Sequence, residues 1–299
     1  MQTLYAYESN LEPGMENNNL GKAKRLLDDK LNRSLNLFTT MVRYLQNVAM
    51  YSEKDASQRS SKFLPTSEDK SVNTKISKNH WVQKINQNAN YNQRLEKEHL
   101  KEHVDNDLVK KIYQQLIKTE PYKKYIATET GTKTEDWQFM KSIWLDFFVN
   151  HESVQEQFEE DLEGWEDDKE MIEMLMDNLF TQNYKVKFDQ PISEDKRQFA
   201  EGLLQTTVDK RAYLTQLIQP KLQNWDAERV AIVDLILLKM GVCELLYFPT
   251  IPTKVTINEY IELAKNYSTP QSGQFVNGVL DNLLKDFDQQ GLINKIKRQ

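Results

Sequence analysis

The sequence predicts an all-α protein, and three observations carry that expectation. Glycine and proline number only 9 and 8 in 299 residues, which leaves little turn material for a many-stranded fold. Leucine, lysine, glutamate, glutamine and asparagine are abundant instead. Along most of the chain, apolar residues recur three or four positions apart, the period of a helix with one buried face.

The elements follow in order. Met1 to Ser9 reads as a helical fragment broken by Pro13 and Gly14. Leu20, Leu27, Leu31, Leu35, Phe38, Val42, Leu45 and Ala49 then mark one long amphipathic helix of a bundle. From Ser52 to Asn79 apolar residues almost vanish, apart from Phe63, Leu64, Val72 and Ile76, which predicts an exposed polar connection. Trp81 to Leu116 is helical in pattern but strongly polar. Thr134 to Val149 is a better amphipathic helix, and Met171 to Phe180 suggests another. Helices at Glu194 to Val208, Lys210 to Leu222, Glu228 to Tyr247, Thr256 to Tyr267 and Pro270 to Gln289 complete a five-helix C-terminal unit. The organisation expected is 1–51 as N-terminal helices, 52–181 as a mostly helical insertion with a polar linker at 52–79, and 182–299 as the C-terminal unit.

Ile251 to Leu284 is the most informative stretch. Thr256 and Glu259 have the spacing of a capping box, just after Pro252. Thr269 and Pro270 read as an N-cap and an N1 proline opening the next helix, whose core stripe is Val276, Val279, Leu280, Leu283 and Phe287. The string from Lys254 to Lys265 reads K-V-x-I-N-E-x-I-E-L-A-K, and Ser272 to Asp281 contains S-x-x-F-V-N-G-V-L-D. Together these resemble the NusB family of transcription antitermination proteins. Trp225 to Leu246 continues the likeness with an arginine, an aspartate five residues on and a terminal Glu-Leu, and Gln2 to Tyr5 looks like the family's Q-A-L-Y. The likeness is close over roughly 191–290, brief at 1–8 and absent in detail between. The chain resembles the long Bacteroidetes-type form, with a large segment inserted in its N-terminal half, so the fold implied is a set of NusB-like helical bundles.

Composition excludes several function classes. Cys243 is the sole cysteine, which rules out an intrachain disulfide and reads as a buried inert thiol. The N-terminus shows no secretory leader, and a cytoplasmic bacterial protein is expected. Val230 to Phe248 is the most apolar run, but Asp234, Lys239 and Glu244 would each cost about 2.5 to 3.5 kcal/mol near a bilayer centre. No membrane partner is expected. His99, Glu102 and His103 fit the H-x-x-E-H zinc-peptidase pattern, which needs both imidazoles on one helical face. That pattern lies in a stretch so polar that chance is the better account, so no enzyme activity, metal or cofactor is expected. Residues 151–180 hold twelve acids against one lysine, a field that would repel a phosphate backbone or simply a solvated face.

What the resemblance implies is RNA binding with a protein partner. Family members bind boxA RNA of ribosomal RNA leaders together with ribosomal protein NusE, within the RNA polymerase antitermination complex. Carried over, Phe275, Gln274, Gln271, Ser272 and Lys254 would be RNA-binding, although Gln274 stands where many relatives have lysine and Phe275 is alternatively a core residue. Tyr5 and Asp234 would face NusE, and Asp234 is equally readable as the acid of a structural hydrogen bond. The family's arginine-rich run before Q-A-L-Y does not precede Gln2, so a start upstream of Met1 is expected, or else Lys22, Lys24, Arg25 or the lysines of 70–78 take its place. The alternative function is a NusB-like protein-interaction module with weak or no RNA binding of its own.

Overall fold

In the middle of the chain, short polar side chains mark where helices begin. In the computed structural model, which describes residues 1–10, 20–128, 131–181, 187–190, 192–222 and 230–296 apart from the side chain of Glu68, the architecture is all-α. Among the described residues the sole β-feature is an isolated bridge between Lys187 and Gln190. Helix α1 (Gln2–Ser9) is followed by α2 (Leu20–Ser60), α3 (Ser67–Lys70), α4 (His80–Asn86), α5 (Ala89–Lys97), α6 (Asn106–Leu116) and α7 (Glu120–Ile126). Then come α8 (Lys133–Trp144), a π-helical turn at Leu145–Val149, α9 (Glu152–Asp161) and α10 (Trp165–Thr181). The chain continues through α11 (Glu194–Asp209), α12 (Arg211–Ile218), α13 (Ile232–Tyr247), α14 (Thr253–Tyr267) and α15 (Ser272–Gln289). The expected helix start at Glu228, and the breakers Pro13 and Gly14, lie outside the described residues.

The polar stretch after Asn79 is polar partly because it is rich in caps. Asn79, Asn88, Asp105 and Thr119 each accept a backbone N–H from the first turn of the helix they precede. Thr132 and Glu135 form a reciprocal capping box at the start of α8. One expectation about this region is corrected. Ser52 to Asn79 is not a simple exposed connection, because α2 continues to Ser60 and Ser52, Asp69, Ile76, Ser77 and Asn79 are all buried. Its most conspicuous apolar pair does the reverse: Phe63 and Leu64 are 98% and 81% exposed. Helices α7 and α9 lay unrecognised, since Tyr122, Tyr125, Val154 and Phe158 are their only buried side chains.

The chain divides into two units, Met1–Lys30 with Ile192–Gln299, and Leu31–Pro191. The first dividing line falls inside α2. The second unit is centred on large aromatics, among them Phe38, Trp81, Tyr113, Trp144, Phe158 and Trp165, all almost fully buried. Each such aromatic buries about 150 to 250 Å² of surface, more than an aliphatic side chain does.

The first unit is built around α13, which is buried on nearly every side. Its three charges are each matched by a different element. Asp234 Oδ2 accepts from Ser272 Oγ at 2.7 Å. Lys239 Nζ donates to both carboxylate oxygens of Glu8 at 2.9 and 3.0 Å. Glu244 accepts from Thr256 Oγ1 at 2.7 Å and Tyr260 OH at 3.1 Å. Burying a charge is tolerable only with such partners. The last contact overturns the capping box expected at Thr256 and Glu259. Helix α14 begins one turn earlier, at Thr253 behind Pro252, and the Thr256 hydroxyl is drawn into the core by Glu244. The predicted opening of the next helix at Pro270 also moves, to Ser272.

Gly241 lets α13 approach its neighbours. A Cβ there would stand 3.0 and 3.1 Å from the methyls of Leu280 and 3.3 Å from the Tyr260 ring. Gly241→Ala is therefore expected to destabilise the protein by about 1 to 3 kcal/mol, against the small gain alanine brings to an open helix. Urea unfolding read by circular dichroism tests this; a stabilised variant would show that the gap closes without strain. Among the described residues, no helix is long and apolar enough to cross a membrane.

Candidate functional site

The turn between α14 and α15 is held by a knot of hydroxyls around Ser272. Ser272 Oγ donates to Asp234 Oδ2 and accepts the Thr269 backbone N–H at 3.2 Å. The Thr269 hydroxyl at 2.8 Å and the Ser268 hydroxyl at 3.0 Å also lie within hydrogen-bond distance of Ser272 Oγ, whose one proton and two lone pairs are shared among these contacts. Gly273 permits the close start of α15, since a Cβ there would lie 3.0 Å from Lys265 Cγ. Gln271 and Gln274 are exposed on this rigid turn.

The predicted RNA-binding residues are only partly brought together. Gln271, Ser272, Gln274 and Phe275 share the first turn of α15, whereas Lys254 lies exposed at the far end of α14, about 20 Å along its axis. Phe275 is 5% exposed and belongs to the core of the first unit with Val276 and Val279, so its ring offers no open face to a base. Ser272 is buried and its hydroxyl is fully engaged. Of the two residues expected to face a protein partner, Tyr5 on α1 is 44% exposed, while Asp234 is 4% exposed and holds Ser272 from inside. Asp234 therefore makes the structural hydrogen bond that was its alternative reading.

Two other predicted features resolve locally. His99 adopts a left-handed conformation with φ of 52° and caps a 3-10 turn over Leu100–His103. Without an α-helix the two imidazoles do not share a face, and the H-x-x-E-H spacing loses its meaning. Cys243 is fully buried, and burial raises its thiol pKa from 9.0 to about 11. The fold thus favours the protonated thiol, so this stabilisation is present below about pH 9 and is lost as pH rises toward 11. In the native protein Cys243 is expected to resist a thiol reagent and to react stoichiometrically in denaturant; rapid native labelling would contradict its burial.

What sequence reasoning missed is that Glu8 and Arg211 converge on α13. Arg211 Nε lies 3.6 Å from Glu8 Oε1, which already binds Lys239. Three charges in an otherwise apolar helix were the available signal.

The NusB family profile matches residues 165–285, from the start of α10 into α15. The transcription antitermination protein NusB of Salinibacter ruber is 44% identical over 110 residues, covering 36% of this chain and 69% of that protein. The chain belongs to the NusB family. NusB of Methylacidiphilum infernorum is 40% identical over 96 residues, 32% of this chain and 67% of its own length. NusB of Bacillus mycoides is 41% identical over 90 residues, 30% of this chain and 69% of its own. A solved structure of T. maritima NusB aligns with 39% of this chain and 86% of its own at 29% identity, with a TM-score of 0.30. The NusB match begins at Trp165, inside the segment expected to be inserted, and the Q-T-L-Y of α1 lies outside it. NusB membership gives the chain a role in transcription antitermination, in a family of non-catalytic factors.

Proposed function

We propose that this chain is an RNA-binding antitermination factor that, with ribosomal protein NusE, recognises boxA RNA of ribosomal RNA leaders and promotes processive transcription by RNA polymerase in the bacterial cytoplasm. The observation that carries the reading is the family match across α11 to α15, the helices that hold Gln271 and Gln274 at the surface on a fixed turn. In this reading Gln271, Gln274 and Lys254 meet the RNA, Ser272 and Phe275 set the turn from within, and Tyr5 contributes to the NusE side, with Asp234 acting through Ser272.

A specific observation favours the second reading, a NusB-like interaction module with weak RNA affinity: Phe275 is buried and Gln274 supplies no cation. Titrating labelled boxA RNA with and without NusE at two salt concentrations separates the two. The first reading requires NusE-dependent binding that weakens with salt. Gln274→Lys is expected to add one phosphate contact and steepen the salt dependence by about 0.7 in log–log slope. NusE binding without any boxA affinity would instead establish the interaction module.

A further inference from the structure

A trough between α4 and α8 of the second unit contains none of the residues expected to touch RNA or NusE. Its volume is about 680 Å³, within the range of small-molecule sites. Lys84, Lys133 and Lys141 line it, and no carboxylate does so among the described residues. Lys141 is also paired with Asp177 at 2.8 Å, whereas Lys133 is exposed at the first position of α8. The segment 151–180, whose Phe180 also lines the trough, carries twelve acids and one lysine. The trough is therefore a positive exception near a negative segment, and like charge sorted this way attracts anions.

Its remaining chemistry is that of base recognition. The Trp137 indole lines the trough and stands edge-on to Phe180, with ring centroids 6.5 Å apart and planes at 89°. Gln83, Gln87 and Gln138 add side-chain amides, which both donate and accept. His80 is fixed by a buried carboxylate: its Nδ1 lies 2.6 Å from Asp136 Oδ2, which also accepts the His80 backbone N–H at 2.9 Å. Asp136 Oδ1 is held in turn by the Tyr125 hydroxyl at 2.6 Å. That relay leaves Nε2 as the ring atom available to a ligand. An adjoining cavity of about 400 Å³ shares Lys84 and Gln87 and adds Asn88 and Asn90, which lengthens the polar path.

Single-stranded RNA is recognised by an aromatic platform, amides for exposed base edges and cations for phosphates. We infer that this trough binds a short segment of single-stranded RNA, with a base on Trp137, its edge on the glutamine amides and His80, and phosphates on Lys84 and Lys133. The inference rests on the proposed RNA-binding role only in choosing the polymer over a free nucleotide.

Fluorescence anisotropy of the full-length chain tests it, using a labelled oligouridylate, labelled boxA RNA with NusE, and uridine monophosphate as competitor. Trp137→Ala is expected to weaken oligouridylate binding roughly 5- to 100-fold, and Trp137→Phe to restore most of it. Lys133→Glu lies on an exposed helix start where an acid is compatible with folding, and is expected to lower the salt slope by about 0.7. Should both Trp137→Ala and Lys133→Glu bind oligouridylate like the unaltered protein, the inference is wrong, even if NusE-dependent boxA binding is intact. Trp137-dependent binding of uridine monophosphate as tight as that of the oligomer would also overturn it, in favour of a free-nucleotide site. Variant effects that persist while NusE-dependent boxA binding fails support the trough and count against the boxA reading alone.

Discussion

Glu8→Ala is expected to lower the unfolding free energy by about 3 to 5 kcal/mol, the usual cost of leaving one member of a buried ion pair behind. Lys239 and Glu8 side chains are only 10% and 12% exposed, and both carboxylate oxygens receive Lys239 Nζ. Once Glu8 is gone, the ammonium is stranded on the most apolar helix of the protein. Helix α1 has little else to hold it, since it buries only Thr3, Leu4 and Tyr7 and lacks a side-chain cap. The double variant Glu8→Leu with Lys239→Met removes both charges while keeping their volume, and should recover most of the loss. Chemical denaturation of the two variants gives the comparison. A single variant within about 1 kcal/mol of the native protein would show that water reaches Lys239.

The second large effect is expected at Glu244. Glu244→Ala deprives two buried hydroxyls of their acceptor, at roughly 1 to 3 kcal/mol each, and also leaves a cavity, so a loss of about 3 kcal/mol is expected. Glu244→Gln keeps one oxygen and turns its amide toward the other hydroxyl, which can accept, and should cost about 1 kcal/mol. Tyr260→Phe and Thr256→Val each leave Glu244 with one donor fewer, and a double-mutant cycle on the pair should reveal coupling beyond about 0.5 kcal/mol. Burial and the adjacent Glu244 raise the Tyr260 pKa well above its ordinary value, so the fold retains a protonated phenol. That contribution is complete below pH 10 and fades as pH rises above it. Additive effects would mean that the two hydroxyls bind Glu244 independently.

The same contacts show why part of this structure was readable from the sequence and part was not. Helical period is a local property, so α2, α8 and α11 to α15 could be placed from neighbouring residues. The charges on α13 were equally visible, but their partners lie 231, 38 and 12 residues away, beyond any pattern of spacing. Thr256 and Glu259 show how local grammar can mislead: the spacing of a cap is present, yet the hydroxyl has a better acceptor in Glu244. Phe63 and Leu64 illustrate the opposite limit, because nothing in an apolar pair says that it is exposed while Ser52, Ser77 and Asn79 nearby are buried. At the candidate site, the family motif located the α14–α15 turn, but motif position alone could not separate Gln274, which faces solvent, from Phe275 beside it, which does not.

A helix that is greasy on every side has no preferred azimuth. Apolar contacts alone would let α13 spin about its axis, or slide by a turn, at little penalty. Asp234, Lys239 and Glu244 are five residues apart, so successive charges point about 140° from one another around the helix. They reach α15, α1 and α14 respectively, which fixes the rotation of α13 from three directions at once. Any misrotated packing would strand at least one charge in hydrocarbon, so the polar contacts act chiefly by making wrong arrangements expensive. The chain's most apolar helix is thereby given a single angular setting, and the turn bearing Gln271 and Gln274 inherits it through Ser272.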